Sequence, residues 1–109
     1  MPHDRICVVH LVRRENGLRP FERFVTAYRA NDPGIAHDLL LVYKGFRDPV
    51  ELASHRDFLG ATHHLEQHVP DSGYDIGSYM HAFRRHQHGY RYFCFLNSYS
   101  EPLRAGWLS

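Results

Sequence analysis

The chain has 109 residues, with 13 Lys plus Arg against 12 Asp plus Glu and a net charge of +1 when histidine is neutral. That length fits one domain with one core and leaves no room for two, and the near-even charge gives no electrostatic push toward nucleic acid or a membrane surface. No apolar run approaches the ~20 residues of a bilayer span, and no basic segment followed by a long apolar one marks a signal peptide, so a cytoplasmic location is expected.

Ile6 to Val12 is mostly apolar and rich in β-branched residues, and predicts the first strand. Arg13 to Gly17 forms the loop that leaves it. A helix is expected from about Leu18 to Ala30, with Phe21, Phe24, Val25 and Tyr28 on one stripe and Pro20 in the first turn, where its missing N–H is harmless. Asn31 to Gly34 ends it. Asp38 to Tyr43 predicts a second strand apolar on both faces. Asp48-Pro49-Val50-Glu51 opens a short second helix: a cap, a proline at the first position and a glutamate that completes a capping box. That helix ends near Gly60. Thr62 to Val69 is a poorly apolar third strand, as an edge position would allow.

Pro70 to Gly73 has turn chemistry. A third helix is expected over Ile76 to His88, with Ile76, Tyr79, Met80 and Phe83 as its apolar stripe, Asp75 as cap and Gly89 as stop. Tyr92-Phe93-Cys94-Phe95-Leu96 is a fourth strand. Its unbroken apolar run predicts a central strand buried between helical layers. Pro102 to Ser109 is a tail whose Trp107 and Leu108 can pack back on the core. Cys7 and Cys94 each sit inside an apolar run and read as buried free thiols rather than a disulfide.

The βαβαβαβ order implies a three-layer α/β Rossmann-like fold: a parallel sheet in the order 3-2-1-4 with helices on both faces and right-handed crossovers. The connections then change direction between strands one and four. That switch point is where such sheets bind ligands.

Asn97, Ser98, Tyr99 and Ser100 at the fourth strand's exit either hold a sugar, a phosphate or a metal-bound diphosphate, or cap the strand before Pro102. Arg13 and Arg14 either grip a diphosphate, as a guanidinium can, or form a solvated pair. Lys44 reads as solvated. Asp75 either caps its helix or accepts hydrogen bonds from a ribose or base, and its two oxygens allow both. Gly77 costs about 0.5–1 kcal/mol relative to Ala inside a helix, which a close ligand or neighbouring strand would explain. The ten histidines read as surface residues. His64-Leu65-Glu66-Gln67-His68 is not the zincin H-E-x-x-H, and no metal site is expected. No Ser-His-Asp signature, P-loop or G-x-G-x-x-G is present.

Several segments together are similar to the N-terminal, nucleotide-binding half of GT-A-fold glycosyltransferases. They are Pro20-Phe21-Glu22-Arg23-Phe24, Val42-Tyr43-Lys44-Gly45-Phe46, Gly73-Tyr74-Asp75-Ile76-Gly77-Ser78-Tyr79 and Phe95-Leu96-Asn97-Ser98-Tyr99-Ser100, and the resemblance spans Ile6 to Trp107. It implies that residues 1–109 form a single domain that binds a nucleotide-diphosphate sugar as donor for glycosyl transfer. The implied binding residues are Arg13, Asp75, Gly77, Asn97, Ser98 and Ser100. The family carries a D-x-D motif, which holds Mn²⁺ or Mg²⁺ against the diphosphate, after strand four. Here those positions read Asn97-Ser98-Tyr99, and neutral oxygens bind hard cations far more weakly than carboxylates. The acceptor half, with the general base of inverting members, has no counterpart in this chain. The resemblance therefore implies a donor-binding module that lacks part of the catalytic apparatus. Its partners would be a nucleotide sugar and a homo-oligomer or second chain that covers the missing half. The alternative is a non-catalytic protein-interaction domain that kept the fold and lost the site.

Overall fold

The structure is a computed structural model and describes residues 5–71 and 75–108. Its elements run β1 (Ile6–Arg13), a 3-10 turn (Arg14–Asn16), α1 (Arg19–Ala30), β2 (Asp38–Lys44), α2 (Pro49–Leu59), β3 (Leu65–Val69), α3 (Asp75–His86) and β4 (Tyr92–Leu96). All four strands are parallel, in the order β3-β2-β1-β4, so the expected sheet is the observed one. Residues 72–74 and the Asp75 side chain lie outside the described residues, and with them the predicted turn at Ser72-Gly73 and the predicted cap.

β1 is the central strand. Val8 pairs with Leu39 on one side and Cys94 on the other. Side chains alternate across a strand, which gives the sheet two apolar faces. On one, Val8, Val12, Leu39, Leu41 and Tyr43 meet Phe21, Phe24 and Val25 of α1 and Leu52 and Leu59 of α2. On the other, Cys7, Val9, Leu11, Leu40, Val42 and Val69 meet Ala82 of α3. Cys7 and Cys94 are free thiols on adjacent strands that project to opposite faces. Burial pushes the Cys7 thiol up to about 12, with Asp38 adding to the effect.

α2 starts as its sequence dictates. The Asp48 side chain accepts from Glu51 N at 3.1 Å, and Pro49 occupies the first turn. The Glu51 carboxylate reaches back to the Arg47 N–H at 2.5 Å, one residue beyond the usual capping box. The tail straps the domain at its opposite end. Trp107 Nε1 donates to Asn31 O at 3.1 Å, Gly106 N to Asp32 O at 2.7 Å and Leu108 N to Pro33 O at 3.1 Å.

Three expectations are corrected. β4 is an edge strand, not a central one: it pairs with β1 alone, and Tyr92 and Phe95 are 50% and 39% exposed. An apolar run signals contact on both faces but says nothing about how many neighbours a strand has. α3 is rotated from the orientation its stripe predicts. Ser78 and Ala82 are the buried residues, while Ile76 is 70% exposed and Met80 42%. Two small residues one turn apart let the helix sit close over β1 and β2. The larger stripe is turned toward β4, where Tyr79 meets Phe95 and Phe83 meets Phe93 at 5.0 and 5.2 Å between ring centroids. Finally, Lys44, His10 and His55 are buried, not solvated.

Candidate functional site

Parallel strands send all four C-terminal exits to one edge of the sheet. The sequence places Arg13, Lys44 to Pro49, His68 to Asp71 and Asn97 to Ser100 there. The switch point between β1 and β4 is a narrow crevice lined by His10, Arg13, Asn16, Phe21 and Ser98, too tight to hold a water molecule. The structure therefore brings Arg13 and Ser98 together, as expected. Gly77 does not line this crevice. It begins a helix that packs on the opposite face of the sheet, as does Asp75.

Most polar groups at the crevice already have structural work. Ser98 is buried and its hydroxyl donates to Leu11 O at 2.9 Å, which ties β4's exit to β1. Asn97 Oδ1 accepts from Tyr99 N at 2.9 Å and from the Ser100 hydroxyl at 3.3 Å, the side-chain turn that Asn favours. These are the capping roles open to them from the sequence. Arg13 pairs with Glu15, and Arg14 with Glu51 of the α2 cap. Among the described residues, nothing beyond its own helix and chain neighbours lies within 4 Å of where a Cβ on Gly77 would sit, so no neighbouring strand explains that glycine.

A divalent cation does not fit this exit. Asn97-Ser98-Tyr99 offers no carboxylate, and its Asn and Ser oxygens are engaged in the turn and in β1. Among the described residues, no group of three or more His, Cys, Asp or Glu could hold a metal ion.

The roomier hollow lies at the exits of β2 and β3, and sequence reasoning missed it. It encloses about 320 Å³ among Phe46, Arg47, Asp48, Leu52, Arg56 and His68, the lower end of the range for small-ligand sites. Its walls are aromatic and cationic. Tyr43 lies behind them, stacked on His68 at 5.3 Å and edge-on to Phe46 at 5.4 Å. The Tyr43 hydroxyl is buried without a partner. Burial, and then the Glu66 charge, push its pKa up. Glu66 itself is partly buried, which would raise its pKa, yet bonds from Arg56 and His64, both 2.9 Å long, hold it below the usual carboxylate range. The one sequence signal for this hollow was Lys44-Gly45-Phe46-Arg47, a basic and aromatic string just past an apolar strand.

Two histidines also escaped the sequence reading. His10 is fully buried against Phe24, both ring nitrogens lack a partner, and burial pushes its pKa down to about 3. His55 is buried between Phe21, Tyr43 and Phe46. Burial lowers its pKa, partly offset by the Gly17 backbone and Glu22.

No helix among the described residues is long and apolar enough to cross a membrane. Comparison with protein-family models, with curated proteins and with solved structures returned no match.

Proposed function

We propose that this domain binds a nucleotide-diphosphate sugar along the C-terminal edge of its sheet, as the donor-binding half of a GT-A-like glycosyltransferase. The observation that carries this reading is the all-parallel β3-β2-β1-β4 sheet, whose exits gather Arg13, Arg47, His68 and Asn97 on one edge. The base would enter the hollow between Phe46 and His68, where two aromatic faces and the Arg56 and Arg47 guanidinium groups suit a flat, electron-rich ring. The diphosphate would run toward Arg13, one to two strand spacings away, about 5–10 Å, and the turn at Asn97 to Ser100, two to three spacings away, about 10–14 Å. It would rest on the lips of the crevice, whose interior has no room for it.

The test is a thermal-shift panel of UDP, GDP and their sugars, each with and without Mn²⁺. A ligand at 100 times its Kd adds about 2.7 kcal/mol, a rise of roughly 10 °C or more for a domain this small. Arg47→Ala and, independently, His68→Ala should abolish the rise, each read against its own unliganded Tm. If no nucleotide moves Tm, the proposal fails.

A second reading, a non-catalytic interaction domain on the same fold, is favoured by one observation. Ile76 and Met80 of α3 and Phe95 of β4 are exposed, on the helix and edge strand that the Tyr79–Phe95 ring contact joins, and exposed apolar patches mark association sites. It predicts a domain that assembles but responds to no nucleotide.

A further inference from the structure

We infer that the open edge of β4, with the overhanging stripe of α3, is the interface of a twofold homodimer in which β4 pairs antiparallel with β4 of a second copy. This names the partner for the interaction-domain reading, and it stands whether or not a nucleotide binds.

Two features show that the edge is built for company. Exposed edge strands are normally blunted by charge, proline or a bulge, and Tyr92-Phe93-Cys94-Phe95-Leu96 carries no charge or proline and pairs with β1 without a break in register. The α3 stripe is turned toward β4: Tyr79 meets Phe95 and Phe83 meets Phe93, while Ile76 and Met80 of the same stripe stay 70% and 42% exposed.

The occupant is identified by self-complementarity. A twofold axis through Cys94 sets Phe93 opposite Phe95 of the partner subunit, and Phe95 opposite the partner's Phe93. That makes a four-ring cluster on the α3 face, because Phe93 and Phe95 already stack 6.0 Å apart within one chain. Aromatic cross-strand pairs are among the more stabilising. On the other face Tyr92 meets Leu96 of the partner subunit. No like charges face each other along the strand.

Above it, the same axis makes the two α3 helices antiparallel. The basic last turn of one, Arg84 and Arg85, then approaches the start of the other, where the sequence has Asp75 and no basic residue in the first turn. Because α3 sits over β1 and β2, the two helix axes stand at least three strand spacings apart, roughly 14 Å or more. Direct helix contact needs about 8–10 Å, and the difference is what Ile76, Met80 and Phe83 from both copies can fill. An isologous patch of this kind closes on itself and does not propagate into a filament.

Light scattering and sedimentation equilibrium on the full chain should give twice the 12.8 kDa mass. Phe95→Lys and, independently, Tyr92→Lys should each give a monomer whose far-UV dichroism is that of the wild type. Two variants guard against a folding defect in one. Arg84→Glu should weaken the dimer several-fold. The register has its own reporter. Directly opposed residues bring their Cβ atoms to about 4.5 Å, close to disulfide reach. Diamide should therefore oxidise the two Cys94 thiols to one inter-chain disulfide, taking up their two hydrogens. Cys94→Ser should remain dimeric but resist the cross-link. A monomeric wild type overturns the inference. So does a dimer indifferent to both lysines, or one that diamide fails to link through Cys94. Nucleotide binding is read by the separate thermal-shift panel, so either result can fail without the other.

Discussion

The imidazole of His10 lies flat on the ring of Phe24, with centroids 3.7 Å apart and planes 8° from parallel. A central β-strand thus carries an ionisable group into the driest part of the core, where neither nitrogen has a partner. Only the neutral ring is compatible with that packing, because an unpaired charge cannot be buried there at tolerable cost.

The consequence is a directional pH dependence. Burial lowers the His10 pKa in the folded chain to about 3, while an unfolded histidine titrates near ~6.5. Between those values the unfolded chain binds the extra proton, so stability rises with pH. It is fully present above the unfolded value and lost as pH falls from ~6.5 toward ~3, at up to about 1.4 kcal/mol per pH unit. Burial lowers the His55 pKa as well, which adds loss of the same sign. Urea melts between pH 8 and pH 4 should show this fall for the wild type. His10→Leu should flatten most of it and be the more stable protein at the acid end.

Gly45 predicts a different failure. Its φ is +85°, and a Cβ added there would lie 2.9 Å from the Asp71 Cβ. Its N–H donates to Val69 O at 3.1 Å, so the residue cannot shift without loosening the β2–β3 exits. Gly45→Ala should cost roughly 1–3 kcal/mol, since backbone strain and overpacking act together. The same change at Gly77, where nothing crowds a Cβ, should be neutral or stabilising by roughly 0.5–1 kcal/mol. Paired chemical denaturations compare the two.

The α2 cap makes a third case. Asp48→Ala removes the acceptor for Glu51 N and should cost about 1 kcal/mol. It should also loosen Arg47, whose N–H is held by Glu51. Any ligand in the hollow beside Phe46 should then bind more weakly than the stability loss alone explains. Calorimetric titration of Asp48→Ala and Asp48→Asn separates the two effects, because Asn retains the cap.

Trp107 closes the strap. Its ring stands 6.3 Å from both Tyr28 and His37, and its N–H is bonded to Asn31 O. Trp107→Ala should cost roughly 2 kcal/mol, below the 3–5 of a fully buried aromatic because the ring is only partly buried. Hydrogen exchange at Gly106 and Leu108 should accelerate with it.

Local chemistry made the sheet legible in the sequence. β1 and β2 are apolar on both faces, α1 is striped, and Asp48-Pro49 fixes the start of α2 almost to the residue. What stayed hidden depends on neighbours. The exposure of Phe95 follows from β4 having one partner strand, which composition does not encode. The rotation of α3 follows from Ser78 and Ala82 permitting close approach, while periodicity weights larger side chains. His10 and Lys44 read as polar residues until the alternation of their strands carries them inward. At the candidate site, Arg13 and Ser98 were legible as neighbours because strand order alone joins them. The hollow at Phe46, Arg47 and His68 was not, because it is assembled from the exits of two strands and the flank of a helix.

The central strand also constrains how the molecule can be made. Ile6 pairs with Tyr92 and His10 with Leu96, so one whole side of β1 waits for residues synthesised more than eighty positions later. Contacts this distant in sequence close slowly. On the ribosome, the first three strands would emerge with a bare apolar margin along β1, and it would stay exposed until β4 clears the exit tunnel. Chaperone engagement should therefore be strongest between the emergence of β3 and that of β4.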